Sequence, residues 1–254
     1  MNVKDFYHRL WHEAMRAWII AEKDIRIYYA KPPVLMWGVA LPLFLFLSWS
    51  VGRNQPLGTL IPGMIAITVF FAASSIGPVI IPWEKRNHTF ERLLTAPMSL
   101  IAILLGKALA GMVFGIAVAA LPLLVGIALG AKVAHGLSLV VGVLFSAGAF
   151  ASLGVLFSTF PGREVGAVMM PATLIRWPLL FISGVFIPLD GLPGWGKALA
   201  YLSPLTYAYD IFQGAIGEQS KWSTALDTLA LAAFWVAFLG VGLRLHEMGR
   251  RQGL

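Results

Sequence analysis

The sequence predicts an all-α membrane protein of six transmembrane helices, and three observations carry that prediction. Of 254 residues, 58% are hydrophobic and only 12% charged, where a soluble domain carries about 25% charge. Mean hydropathy is +0.78. Six apolar runs each near or exceed the roughly 20 residues that cross about 30 Å of hydrocarbon. Lysine and arginine also segregate to alternate loops, which points to membrane orientation rather than nucleic acid as the reason for the net charge of +7.

Residues 5–29 come first. Phe6, Leu10, Ala14, Ala17, Ala21, Ile25 and Tyr28 recur three or four apart, as on one helical face. Arg9, Arg16, Lys23 and Arg26 lie mostly off that stripe, and Trp11 and Trp18 flank it. Basic residues with interfacial aromatics indicate a helix on the cytoplasmic membrane surface; the alternative is an amphipathic helix packed on protein. Lys31-Pro32-Pro33 ends it, because a residue before proline avoids the helical region. The first apolar run begins too late for a signal peptide.

The six spans are 34–51, 57–81, 101–129, 137–160, 165–187 and 224–243. Pro42, Pro62, Pro78, Pro122, Pro171 and Pro178 lie inside them. Such prolines are tolerated where neighbouring groups satisfy the freed carbonyls, and they imply kinked helices around a cavity. With both termini cytoplasmic, the inside holds Lys4, Arg9, Arg16, Lys23, Arg26, Lys31, Lys85, Arg86, Arg92, Lys107, Arg163, Arg244, Arg250 and Arg251. Only Arg53, Lys132, Lys197 and Lys221 lie outside, and Arg176 is within a span. This asymmetry sets the topology. Small residues four apart (Gly111 and Gly115, Gly142 and Ser146, Gly148 and Ser152, Gly154 and Ser158) let helices approach closely. No internal repeat or linker is visible, so 1–254 reads as one domain.

The charged stretch 83–99 interrupts the apolar pattern on the cytoplasmic side. It reads as a short helix over 84–96, stopped by Pro97. The segment 188–223 is too long for a turn and too apolar for a solvated loop. Pro188, Pro193 and Pro204 divide it, and one or two short helices dipping into the outer leaflet and returning fit its composition. Backbone of that kind is acceptable only where protein or a wet cavity covers it.

Two stretches carry a resemblance. One is Glu84 to Ser99, with Thr89-Phe90-Glu91-Arg92-Leu93-Leu94 and then Pro97. The other is Ser183-Gly184-Val185-Phe186-Ile187-Pro188, followed by Leu192-Pro193 and Leu202-Ser203-Pro204-Leu205-Thr206-Tyr207. Together they resemble the permease subunit of ABC-2 type transporters, the family of daunorubicin-resistance, nodulation and O-antigen export permeases. His88 stands where that family usually has glycine. The resemblance implies an export machine of two permeases, self-paired or with a related chain, and two ATPase subunits that bind ATP and magnesium. It also implies that 84–96 is the coupling helix seated in the ATPase. Glu84, Arg86, Glu91 and Arg92 would supply charged anchors, and Phe90, Leu93 and Leu94 apolar grip, with Thr89 in the same stretch. The alternative is a solvated loop serving topology alone.

No G-x-x-x-x-G-K-[ST] phosphate loop occurs, so the chain is expected not to hydrolyse ATP. Cysteine is absent, and the scattered histidines form no convincing metal site. Arg176 lies twelve residues from both Glu164 and Pro188, about 18 Å from either interface at ~1.5 Å per residue. Thr173, Arg176 and Ser183 share one helical face. That face lines a translocation path, with Arg176 on an anionic part of the cargo, or else Arg176 bonds carbonyls freed by prolines such as Pro171 or Pro178. Phe70, Phe71, Trp177 and Phe181 are candidate apolar contacts for an amphipathic cargo; lipid-facing aromatics would look the same. The expected setting is a prokaryotic inner membrane. The rival readings are an ion-coupled transporter, which would need midplane carboxylates, and a scaffold subunit without cargo.

Overall fold

The computed structural model describes residues 3–50, 57–96, 98–128 and 130–251, and all regular structure among them is helical. Pro97 and Arg53, to which the sequence assigned a helix stop and an outer position, lie outside the described residues. Helix α1 spans Val3–Tyr28. Helix α2 (Pro32–Leu35), a π turn (Met36–Ala40) and α3 (Leu41–Ser50) make the first predicted span. Helix α4 is Leu57–Arg86, α5 Thr89–Thr95, α6 Leu100–Ala128, α7 Gly136–Phe157 and α8 Val165–Ile182. A 3-10 turn (Leu189–Gly191), α9 (Gly194–Ala200), α10 (Pro204–Ile216) and α11 (Thr224–Arg251) complete the chain.

Five described helices, α4, α6, α7, α8 and α11, are long and apolar enough to cross a membrane. In the first predicted span a shorter apolar helix, Pro32–Leu45, is found among the described residues. Pro42 offers no N–H to the carbonyl four residues before it. In the turn just ahead of it, Leu41 N–H bonds Met36 O, five residues back.

Helix α4 is the hub. Its membrane-length window is wholly buried, with α6, α7, α8 and α10 packed around it. The close approaches are made by glycine. A Cβ added at Gly154 would meet Ser74 O on α4 at 2.7 Å, and one at Gly111 would meet Ala73 O at 2.8 Å. Gly142 faces Ile211 of α10, and Gly148 faces Trp235 of α11. The small-residue spacing therefore serves packing within the subunit, with dispersion gained where backbones touch.

Helix α1 buries one face, formed by Ala17, Ile20, Ala21 and Tyr28, and packs along α6. The contacts advance together along both helices. Ser99 Oγ donates to Glu13, Gly106 lies against Ala17 and Ile20, and Tyr29 Oη donates to Ala110 O at 2.5 Å. Trp11, Met15 and Trp18 stay exposed on the other side.

Within 188–223, α9 leaves Trp195 and Leu199 exposed, whereas α10 buries Leu205, Ala208, Ile211 and Phe212 against α4, α7 and α11. Pro193 precedes α9 as its cap and Pro204 opens α10, positions where a missing N–H costs nothing. Pro188 precedes the 3-10 turn. Tyr207 Oη donates to Tyr201 O at 2.9 Å, and its ring lies against Trp222.

Candidate functional site

The charged stretch folds differently from one continuous helix. Helix α4 runs through Pro82 to Arg86, so Glu84, Lys85 and Arg86 belong to its last turn. Asn87 and His88 make a turn, and α5 restarts at Thr89. His88 adopts φ 55°, ψ 21°, the one left-handed non-glycine residue among those described. Glycine enters this region without steric cost, and other L-residues do not. The position therefore rewards the glycine that the resemblance led one to expect. Thr89 Oγ1 donates back to Glu84 O at 3.2 Å, bridging the turn.

Two expected outward contacts turn inward. Phe90 is buried among Ile81, Ile103, Leu104, Ala108 and Val155, with Leu93 and Leu94 half-buried beside it. The chain reversal at His88 folds this apolar face of α5 back onto the ends of α4 and α6. Glu84 is likewise wholly buried. Arg86, Thr89, Glu91 and Arg92 remain on the surface. Arg86 pairs with Glu164, just ahead of α8, at 2.8 Å. Between exposed partners such a pair is worth about 0–1 kcal/mol.

Glu84 enters a ring of four charges that the sequence reading missed. Lys107 Nζ on α6 lies 2.5 Å from Glu84 Oε2 and 3.3 Å from Asp24 Oδ2 of α1. Lys23 pairs with Glu84 Oε1 and lies 2.8 Å from Asp24 Oδ1, an ion contact without hydrogen-bond alignment. Each carboxylate touches both ammonium groups, so two positive and two negative charges alternate. Burial pulls Lys23 down, but the charges of Asp24 and Glu84 outweigh it and hold its ammonium above the ordinary lysine value. A buried charge is tolerable only when paired, and Lys107, seven residues into α6, is the signal in the sequence that a partner was required.

Arg176 is also wholly buried. Its Nη2 donates to Ser74 O on α4, and its guanidinium lies 5.3 Å over the Phe157 ring at the end of α7. Ser74 O is the carbonyl that the amide of residue 78 would take in an unbroken helix, and residue 78 is proline. Arg176 thus serves a proline-freed carbonyl, as one sequence reading expected, although the proline is Pro78 rather than Pro171 or Pro178. The side chain reaches that level because helical side chains lean toward their N-terminus. Arg176 Nε and Nη1 and Thr173 Oγ1 have no hydrogen-bond partner. Ser183 Oγ donates to Leu180 O at 2.7 Å and closes α8.

The aromatic candidates do not form one lining. Phe70 and Phe71 are wholly buried on α4, Phe70 against Phe150 with ring centroids 5.0 Å apart. Both pack inside the bundle and face no open surface, because α4 is surrounded on all sides. Trp177 stacks on Phe181 at 5.8 Å, and Phe181 is half-exposed on α8 together with Met170 and Leu174. Asp227, in the first turn of α11, is wholly buried beside Asp210.

Comparison with known proteins adds a second line of observation. A family model described as ABC-2 type transporter matches residues 15–216. Nodulation protein J of Sinorhizobium fredii is 28% identical over 247 residues, covering 92% of this chain and 90% of that one. The daunorubicin resistance ABC transporter permease protein DrrB1 of Streptomyces coeruleorubidus is 26% identical over 199 residues, 75% of this chain and 66% of its own length. The inner membrane transport permease YadH of Escherichia coli is 24% identical over 252 residues, 98% and 95% of the two chains.

Proposed function

The chain belongs to the ABC-2 type transporter family, as the membrane-spanning subunit of an ABC transporter and not its ATPase, and from that premise we propose that it exports an amphipathic substrate on work received through α5. The observation that carries the proposal is the build of α5. It is a seven-residue helix tethered to the end of the wholly buried hub α4 and pinned to the core by Phe90. Its outer face presents Thr89, Glu91 and Arg92. A push on that face reaches the bundle axis directly, because α4 continues from it after a two-residue turn. Charged groups there give register to a docked partner, and rim charges of this kind govern specificity more than affinity.

In this reading two permeases and two ATPase subunits assemble in a prokaryotic inner membrane. Both termini are cytoplasmic, and ATP and magnesium stay on the ATPase. Movement of α4 is passed to α8 at Arg86–Glu164 and Arg176–Ser74. The exposed side of α8, with Trp177 and Phe181 stacked at its outer half, borders the route of the cargo, while α9 and α10 cover its outer end.

Co-purification tests the proposal. Tagged permease should bring down an ATPase in comparable amount, and Glu91→Ala/Arg92→Ala should abolish permease-dependent change in its hydrolysis rate while the permease stays folded. Normal coupling in that variant would refute the role of α5.

A further inference from the structure

Helix α1 touches the coupling segment's connections on both sides of α5. Ahead of α5, Lys23 and Asp24 meet Glu84 and Lys107 in the alternating ring. Behind α5, Ser99 Oγ donates to Glu13 of α1 and also accepts Ala102 N–H at 3.0 Å, capping α6. Between these points α1 lies almost backbone to backbone on α6, since a Cβ at Gly106 would meet Ala17 O at 2.5 Å. The ring resists sliding for an electrostatic reason. Asp24, Glu84 and Lys107 are at most 1% exposed, so moving one helix by a turn would strand buried charges that water cannot reach. Thr89 Oγ1 bonds the carbonyl of Glu84 itself, so the ring reaches the first turn of α5 through a single residue.

We propose that this ring locks α1 to the end of α4 and to α5 as one rigid lever, with Lys23, Asp24, Glu84 and Lys107 as its positioning residues. Work delivered to α5 then moves α1 as well. The exposed Trp11, Met15 and Trp18 would ride with the lever and displace whatever lies against them, lipid or protein. The inference rests on the reading of α5 as the receiver of ATPase movement, yet the rigidity of the lever can be measured apart from it.

The sequence contains no cysteine, so introduced cysteines take spin labels without background. The full-length permease, reconstituted with its co-purifying ATPase and diluted with unlabelled copies, carries labels at Trp18→Cys and Thr95→Cys. A second pair uses Thr95→Cys and Leu137→Cys, the latter exposed at the start of α7. Between nucleotide-free and ATP-trapped states, the 18–95 distance should hold to within half a helical turn, roughly 3 Å, while the 95–137 distance changes. Lys23→Met/Asp24→Asn removes both α1 charges and leaves the Glu84–Lys107 pair intact. Its 18–95 distribution should at least double in width. Glu84→Gln/Lys107→Met, which leaves Lys23 and Asp24 balanced, should do the same and serves if the first variant misfolds. A native 18–95 distance that shifts by a full turn, about 5.4 Å, or unchanged widths in the folded variants, overturns the lever. A 95–137 distance indifferent to nucleotide counts against ATPase movement of α5, and the width comparison still decides the ring.

Discussion

Arg176→Met measures how α8 is tied to α4, provided it is paired with Pro78→Ala. Taken alone, the arginine substitution is nearly self-cancelling. It removes a charge-assisted bond to Ser74 O, worth about 1.5–3 kcal/mol, and the guanidinium over the Phe157 ring, worth up to about 2 kcal/mol in a dry site. It also relieves the burial of a charge deep in a span, about 2.5–3.5 kcal/mol on insertion scales. The informative quantity is the interaction between the two sites. Once Pro78→Ala restores a backbone N–H for Ser74 O, loss of the arginine no longer orphans that carbonyl. Arg176→Met should therefore be better tolerated in the Pro78→Ala background by about 1–3 kcal/mol, the value of one hydrogen bond to a buried carbonyl. Reversible unfolding of the four proteins in mixed micelles, titrated with denaturing detergent, reads the cycle. An interaction below about 0.5 kcal/mol, the limit of ordinary additivity, would refute the claim that Arg176 serves the carbonyl freed by Pro78.

Three further outcomes follow from the packing. Gly154→Ala sets a methyl 2.7 Å from Ser74 O, against backbone that cannot rotate away, and should cost about 1–3 kcal/mol in the same assay; Gly166→Ala, with open space around it, should cost nothing and stabilise by up to about 1 kcal/mol through helix propensity. His88→Gly relieves a left-handed residue and should stabilise the α4–α5 turn by about 1 kcal/mol, seen as slower hydrogen exchange over Thr89–Thr95; faster exchange would contradict it. Because Lys23 is held above its ordinary value, its share of the ring is complete below the unfolded lysine value of about 10.4 and is lost as pH rises through the higher folded one. The 18–95 distance distribution should therefore keep its native width through about pH 10 and broaden only above it, and broadening by about pH 9 would count against the ring.

Helix positions and the membrane-spanning character of the longest of them were legible in the chain. They depend on local composition: a run of apolar residues crosses lipid whatever its neighbours do, and lysine and arginine bias orientation loop by loop. The motifs around Glu84–Ser99 and Ser183–Tyr207 carried the family for the same reason. The direction each charged side chain faces was not legible. Glu84 looked like a surface anchor because its neighbours Lys85 and Arg86 are polar. It is buried because α6 brings Lys107 and α1 brings Lys23 and Asp24 to it, the last 83 residues from Lys107 in the chain. Phe70 and Phe71 looked like a lining because nothing local says that α4 is the hub. Pro78 and Arg176 are far apart in the chain, and only the packing of α8 on α4 brings the guanidinium to the freed carbonyl. Transfer from water to lipid is additive along the sequence, so a linear reading recovers it. Charge pairing and carbonyl capping depend on which faces meet and at what depth, and that is decided by the close packing of helices distant in the chain.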